Sequence, residues 1–196
     1  MFRKIKIRTA LSMMVFSLAA LLLFVGVLGL IAVQSGNKSF ARVDMEVLPG
    51  LVALNDSSEL LLRGRLDLRL YESLMGKGDV EAAKVALGRA RGKVDGASEK
   101  WQEYLKYPQS EAEKVISSDM AEKRNALMQE FIDPAFAALN AGNLDEYRQR
   151  AGKSTVLYAA FDKSSKALVS FKLKSIDEAY ADSNGRVELM EVILYS

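Results

Sequence analysis

Cysteine and histidine are both missing from the 196 residues. Their absence excludes disulfide frameworks, zinc sites, thiol nucleophiles and imidazole acid–base chemistry together. Carboxylates are plentiful, but no clustered pair stands out, so the chain is expected to bind rather than to catalyse, without cofactor or metal. Proline occurs three times, at 49, 108 and 134, and β-branched residues seldom alternate with polar ones. Leu, Ala, Glu, Lys and Arg dominate instead, and all of these favour helix.

Acidic residues are absent from positions 1–33, which hold Arg3, Lys4, Lys6 and Arg8. Removing those four from the 27 basic residues leaves 23 against all 25 acids, so the net charge of +2 hides a slightly acidic remainder. Such a balance carries no electrostatic footprint for nucleic acid. Ala10–Val33, "ALSMMVFSLAALLLFVGVLGLIAV", runs 24 residues without a charge. At about 1.5 Å per residue it can cross the roughly 30 Å hydrocarbon core. It is longer than the apolar core of a signal peptide, and "VQSGNKS" offers no clean cleavage site, so a membrane anchor is expected. The upstream cations place residues 1–9 in the cytoplasm and the chain after Gln34 outside.

From Gln34 onward the pattern reads as helix with three breaks. The glycines of "MGKGD" at 75–79 stop the first helix, and Asp79 can cap the second. Between Val80 and Tyr104 the apolar positions Val80, Ala83, Leu87, Ala90, Val94, Ala97, Trp101 and Tyr104 alternate spacings of three and four, the seam of a bundle. "KYPQS" at 106–110 is the second break, with Ser110 as N-cap and Glu113 as capping-box partner. A third helix follows from about Glu111 to Leu139, interrupted near Pro134. "NAGNLDEY" at 140–147 turns into a fourth helix from about Leu144 to at least Leu189, with an apolar stripe of Leu157, Phe161, Leu168, Phe171 and Ile176. Short connections make neighbours antiparallel. The expected fold is therefore all-α, an up-down-up-down four-helix bundle with long helices one and four, preceded by one transmembrane helix.

The stretch Leu60–Tyr71, "LLLRGRLDLRLY", places three arginines among leucines. Arg63 has Asp67 four residues on, which suggests a solvated ion pair. Arg65 occupies the seam Leu54, Ser58, Leu61, Arg65, Leu68, Glu72, Met75, where a charge must be paired or must face a ligand or another chain. Either a neighbouring acid neutralises it, or Arg65 and Arg69, about 40° apart around the helix, await an anion. Guanidinium forks grip carboxylates bidentately, so two arginines one turn apart suit a small organic acid.

These features in this order resemble the N-terminal half of a bacterial methyl-accepting chemotaxis protein of the aspartate and serine receptor type: a basic start, a membrane span, "QSGNKSF" at 34–40, an arginine-bearing first helix, and "AGNLDEY" at 141–147 opening helix four. The resemblance implies a periplasmic sensory domain at 34–190, anchored in the bacterial inner membrane. It also implies a homodimer that binds amino acids or organic acids where the subunits meet, and signalling by displacement of helix four. Arg65 falls on the family's first arginine by the pattern R-[L/I]-[D/N]-L. The second family arginine lies five residues on, where this chain has Leu70 with Arg69 one place early; the third lies nine residues on, at Leu74. Tyr147 matches the family aromatic of helix four, whereas the later Gln and Thr positions hold Arg150 and Gly152.

The family's amino-acid site is thus altered, and Arg148 and Arg150 add cations where helix four begins, followed by Lys153, Ser154 and Thr155. Arg65, Arg69, Tyr147, Arg148, Arg150 and Ser154 are the candidate ligand residues. The expected ligand is a di- or tricarboxylate such as malate or citrate, or else an amino acid. Such a sensor continues into a second membrane span and a signalling tail, of which residues 191–196 would be the start; "VELMEVILYS" is too short to cross a bilayer. The sensor region of a histidine kinase and a ligand-free anchored bundle remain as rival readings.

Overall fold

The structure, a computed structural model, describes residues 7–195. Residues 1–6 of the expected cytoplasmic start, and Ser196 at the far end, lie outside the described residues. Within those limits the chain is almost wholly helical, broken by short turns: α1 (Ile7–Arg42), α2 (Leu48–Gly76), α3 (Val80–Tyr104), α4 (Glu111–Leu127), α5 (Asp133–Asn140) and α6 (Leu144–Tyr195). It divides into two compact units, one of Asp44–Ile176 and one that joins Met1–Val43 with Asp177–Ser196. In the latter, Leu11–Ile31 forms a 21-residue stretch of mean hydropathy 2.7, long and apolar enough to cross a membrane.

In the unit Asp44–Ile176, four helical arms enclose one core: α2, α3, the α4–α5 arm and α6. Each turn has a local cause. α2 ends where Gly78 adopts φ +78°, a left-handed conformation that glycine takes without a Cβ penalty. Asp79 then caps α3 by accepting from the Ala82 N–H at 3.2 Å. Ser110 caps α4 through the Glu113 N–H at 3.2 Å. Gly142, at φ +71°, closes α5, and Asn143 Oδ1 accepts from the Glu146 N–H to open α6.

Two segments widen into π-helical turns, Val43–Val47 and Met128–Ile132, each just ahead of a proline. The interruption near Pro134 was expected; the one near Pro49 was not. Both follow from proline's missing N–H and from the clash of its ring with the carbonyl four residues back.

The expected seam of α3 is buried at Ala83, Ala90, Val94, Ala97, Trp101 and Tyr104. Val80 is instead exposed, and Ala86 takes an inward place. α2 and α3 approach closely at Gly64, where an added Cβ would stand 3.3 Å from Val94 Cγ2 and 3.5 Å from the Ala90 carbonyl oxygen. On α6, Phe161, Leu168 and Ile176 are buried as the stripe predicts, while Leu157 and Phe171 are half-buried. An unexpected member of the core is Lys172, paired with Glu113 at 2.8 Å. Glu113 thus turns inward to Lys172 and to the Tyr104 hydroxyl, also 2.8 Å away, rather than serving only as a capping-box partner.

Candidate functional site

The packing of α2 on α6 brings Arg65 against the stretch of α6 that holds Thr155 and Tyr158, with Arg69 close by. Tyr147 and Tyr158 are eleven residues apart, close to three full turns, so they share one face of α6. Both are buried, and Phe131 packs between them, with ring centroids 6.5 Å from Tyr147 and 5.8 Å from Tyr158. The Arg65 guanidinium lies on the Tyr158 ring, with Cζ 4.3 Å from its centroid. Its Nη2 donates to Thr155 Oγ1 at 3.3 Å, while its Nε is buried without a partner.

The charges of this corner do not cancel. Among the described residues no carboxylate forms an ion pair with Arg65 or Arg69. Asp67, expected beside Arg63, is buried instead against α3, between Lys93 at 2.5 Å and Arg89 at 3.3 Å. With Asp67 held by those α3 cations, Arg63 pairs with Glu59 one turn earlier. Glu72 is occupied by Arg148, whose Nε is 3.0 Å away. Burial holds the Arg65 guanidinium below its ordinary range, and the neighbouring Arg69 lowers it further, against the opposing pull of Tyr158 and Tyr147. Burial, with help from Glu72, pushes the Tyr147 phenol up to about 12. Tyr158 is raised as well, again chiefly by burial, although Arg65 pulls it down.

The six candidate residues divide. Arg65, Arg69 and Tyr147 share this corner, and Arg148 borders it, already held by Glu72 and by Asp145 at 3.3 Å. Arg150 lies elsewhere, paired with Glu146 at 2.7 Å, and lines an open groove of about 510 Å³ with Glu130, Gln149, Lys153, Val156 and Leu157. Ser154 is buried and donates to the Ala151 carbonyl oxygen at 2.7 Å. Thr155 and Tyr158 join the corner without having been singled out. The eleven-residue spacing from Tyr147 is the signal in the sequence that could have found Tyr158. Among the described residues no group of acids is arranged to hold a metal ion.

Chemically, the corner offers two neighbouring guanidinium groups, one desolvated and short of a hydrogen-bond acceptor, beside an exposed hydroxyl and two phenols. That is an arrangement for an acceptor-rich anion. No curated protein matches the chain, and no solved structure does. The family model described as the Tar ligand binding domain homologue matches residues 1–176. Matched over most of its length, the chain belongs to the family of Tar ligand binding domain homologues, the sensory domain of aspartate/serine-type chemoreceptors.

Proposed function

We propose that this sensory module binds a small organic acid through Arg65 and Arg69, at the junction of two copies of the bundle. The observation that carries the reading is the uncompensated charge of Arg65: its Nε is buried without an acceptor, and among the described residues no acid pairs with it. Leaving a buried donor unsatisfied is costly, and a carboxylate arriving there would relieve both the orphaned donor and the repulsion from Arg69. Glu72 and Asp67 are committed to cations of their own. Among the described residues neither of these acids is thereby left to receive a ligand ammonium group at Arg65, which favours a di- or tricarboxylate such as malate or citrate over an amino acid.

The homodimer has support in the outer face of α2. Met45, Leu48, Val52, Leu62, Leu66 and Leu70 are all exposed, and mostly follow the three–four spacing of a helix seam. Arg69 is exposed three residues beyond Leu66 on that side, so a second copy packed along α2 would bring a partner Arg69 towards Arg65. A ligand bridging α2 and α6 would then favour one axial position of α6 over another. Only such a difference in affinity between two states can carry a signal. The apolar Leu11–Ile31 stretch anchors the module in the bacterial inner membrane, with the bundle in the periplasm and a cytoplasmic N-terminus.

The test is calorimetry and thermal shift on the whole chain in detergent micelles, with L-malate, citrate and L-aspartate as probes. One of the dicarboxylate or tricarboxylate probes should bind, and Arg65→Ala should weaken it by about tenfold or more, consistent with loss of a charge-assisted hydrogen bond, while leaving helical content unchanged. A flat response to every probe, or undiminished affinity in Arg65→Ala, rejects the proposal.

A further inference from the structure

We infer that Tyr158 is the positioning residue of this site: its aromatic face holds the Arg65 guanidinium in place without neutralising it. The inference rests on reading Arg65 as the anion-binding group.

Three other arginines of α2 and α6 show the alternative. Arg63 is held by Glu59, Arg148 by Glu72 and Asp145, and Arg150 by Glu146. Each is fixed by a carboxylate, and each thereby loses most of its field. An incoming anion would have to compete with the resident acid. Arg65 is fixed differently. Its Cζ stands 4.3 Å above the centre of the Tyr158 ring, within the range at which an aromatic quadrupole attracts a cation. The ring has no net charge, so the guanidinium is oriented and its positive charge stays available.

The platform is itself immobile. Tyr158 is 2% exposed, and Phe131 meets it edge-on, 5.8 Å away at 69°. Thr155, one turn earlier on α6, takes one guanidinium nitrogen by a 3.3 Å hydrogen bond. Ring and hydroxyl together aim Arg65 while its Nε keeps no acceptor. The Tyr158 hydroxyl is also buried without a partner, so the aromatic face, and not the phenol oxygen, makes the contact with Arg65. That separates this role from a direct hydrogen bond to ligand.

The experiment uses the whole chain in detergent micelles with L-malate and citrate as probes, and compares Tyr158→Phe, Tyr158→Leu and a trifluorophenylalanine placed at position 158. The last keeps the shape of the ring and weakens its quadrupole. A second readout needs no ligand: the Arg65 Nε–Hε resonance, which the ring current of Tyr158 displaces. Tyr158→Phe should bind the probe within about twofold of the parent chain. The fluorinated ring should weaken binding about threefold and Tyr158→Leu about tenfold, the range expected of a partly desolvated cation–π contact. Helical content should stay unchanged, and the Arg65 displacement should vanish in Tyr158→Leu.

Equal affinity of the fluorinated and phenylalanine variants, at equal melting temperature, would overturn the inference, because a purely structural role depends on shape alone. An Arg65 resonance unmoved in Tyr158→Leu would overturn it too. Should Tyr158→Leu not fold, the phenylalanine and fluorinated pair still decides. If the parent chain binds neither probe, the anion reading fails by itself, and the resonance still reports whether Tyr158 holds Arg65.

Discussion

Replacing Lys172 by methionine should destabilise the bundle by about 3 to 5 kcal/mol, the cost of leaving one member of a buried ion pair alone. Lys172 of α6 is 2% exposed and Glu113 of α4 is 6% exposed. Their Nζ and Oε1 atoms are 2.8 Å apart, and the same oxygen accepts the hydroxyl of the fully buried Tyr104 at 2.8 Å. At an effective dielectric near 20, charges that close attract by about 6 kcal/mol. Removing them from water costs several kcal/mol per ion. The two effects nearly offset, so the intact pair adds little net stability, whereas half of it is expensive.

Lys172→Met strands the Glu113 carboxylate with only the Tyr104 phenol for company. Adding Glu113→Gln removes the second charge and keeps an acceptor for Tyr104, so most of the loss should return. In thermal melts followed by circular dichroism, the single variant should fall by roughly 6 to 20 °C, and the double variant should recover most of that drop. The cycle of single and double variants isolates the coupling. A fall of under about 2 °C in Lys172→Met, or a double variant as unstable as the single one, would refute the argument.

Three further outcomes follow from the same geometry. Ser110→Ala removes the side-chain acceptor for the Glu113 N–H and should cost about 1 kcal/mol in denaturant unfolding; an unchanged midpoint would mean that water caps α4 equally well. Gly64→Leu should cost about 1 to 3 kcal/mol by overpacking, because a Cβ there already meets Val94 at 3.3 Å, whereas Gly88→Ala, with open space around it, should gain up to about 1 kcal/mol in helix propensity. In alkali, burial lifts Tyr147 to about 12 and raises Tyr104 and Tyr158 too, so the folded state holds these protons more tightly than the unfolded one. Their stabilising contribution is full below the unfolded phenol value near 10 and falls as pH rises, that of Tyr147 being lost through about 12 and those of Tyr104 and Tyr158 higher still. Phenolate absorbance from these three should therefore appear in step with helix loss, and their titration near pH 10 with the helices intact would contradict this.

The residue pattern alone determined the helices, their order and their breaks, apart from the π-helical turn ahead of Pro49. Gly78, Ser110 and Asn143 act on backbone groups within three residues of themselves, and the seam of α3 is a period visible in seven consecutive spacings. The apolar stretch near the N-terminus is a matter of length and composition. Arg65 stood out for a similar reason, as a charge at a seam position whose burial the period predicts. Which acids would be free was a different matter. Asp67 looks like a partner for Arg63 along one helix, yet the packing of α2 on α3 delivers it to Lys93 and Arg89. Glu72 of α2 goes to Arg148 of α6, and Lys172 enters the core because Glu113 waits there on another arm. Only the tertiary structure could leave Arg65 on an aromatic ring with no acid beside it. The physical reason is one of range: caps and periodicities are settled within a turn or two, whereas a long charged side chain chooses its partner among whichever groups the register of packed helices brings within about 4 Å.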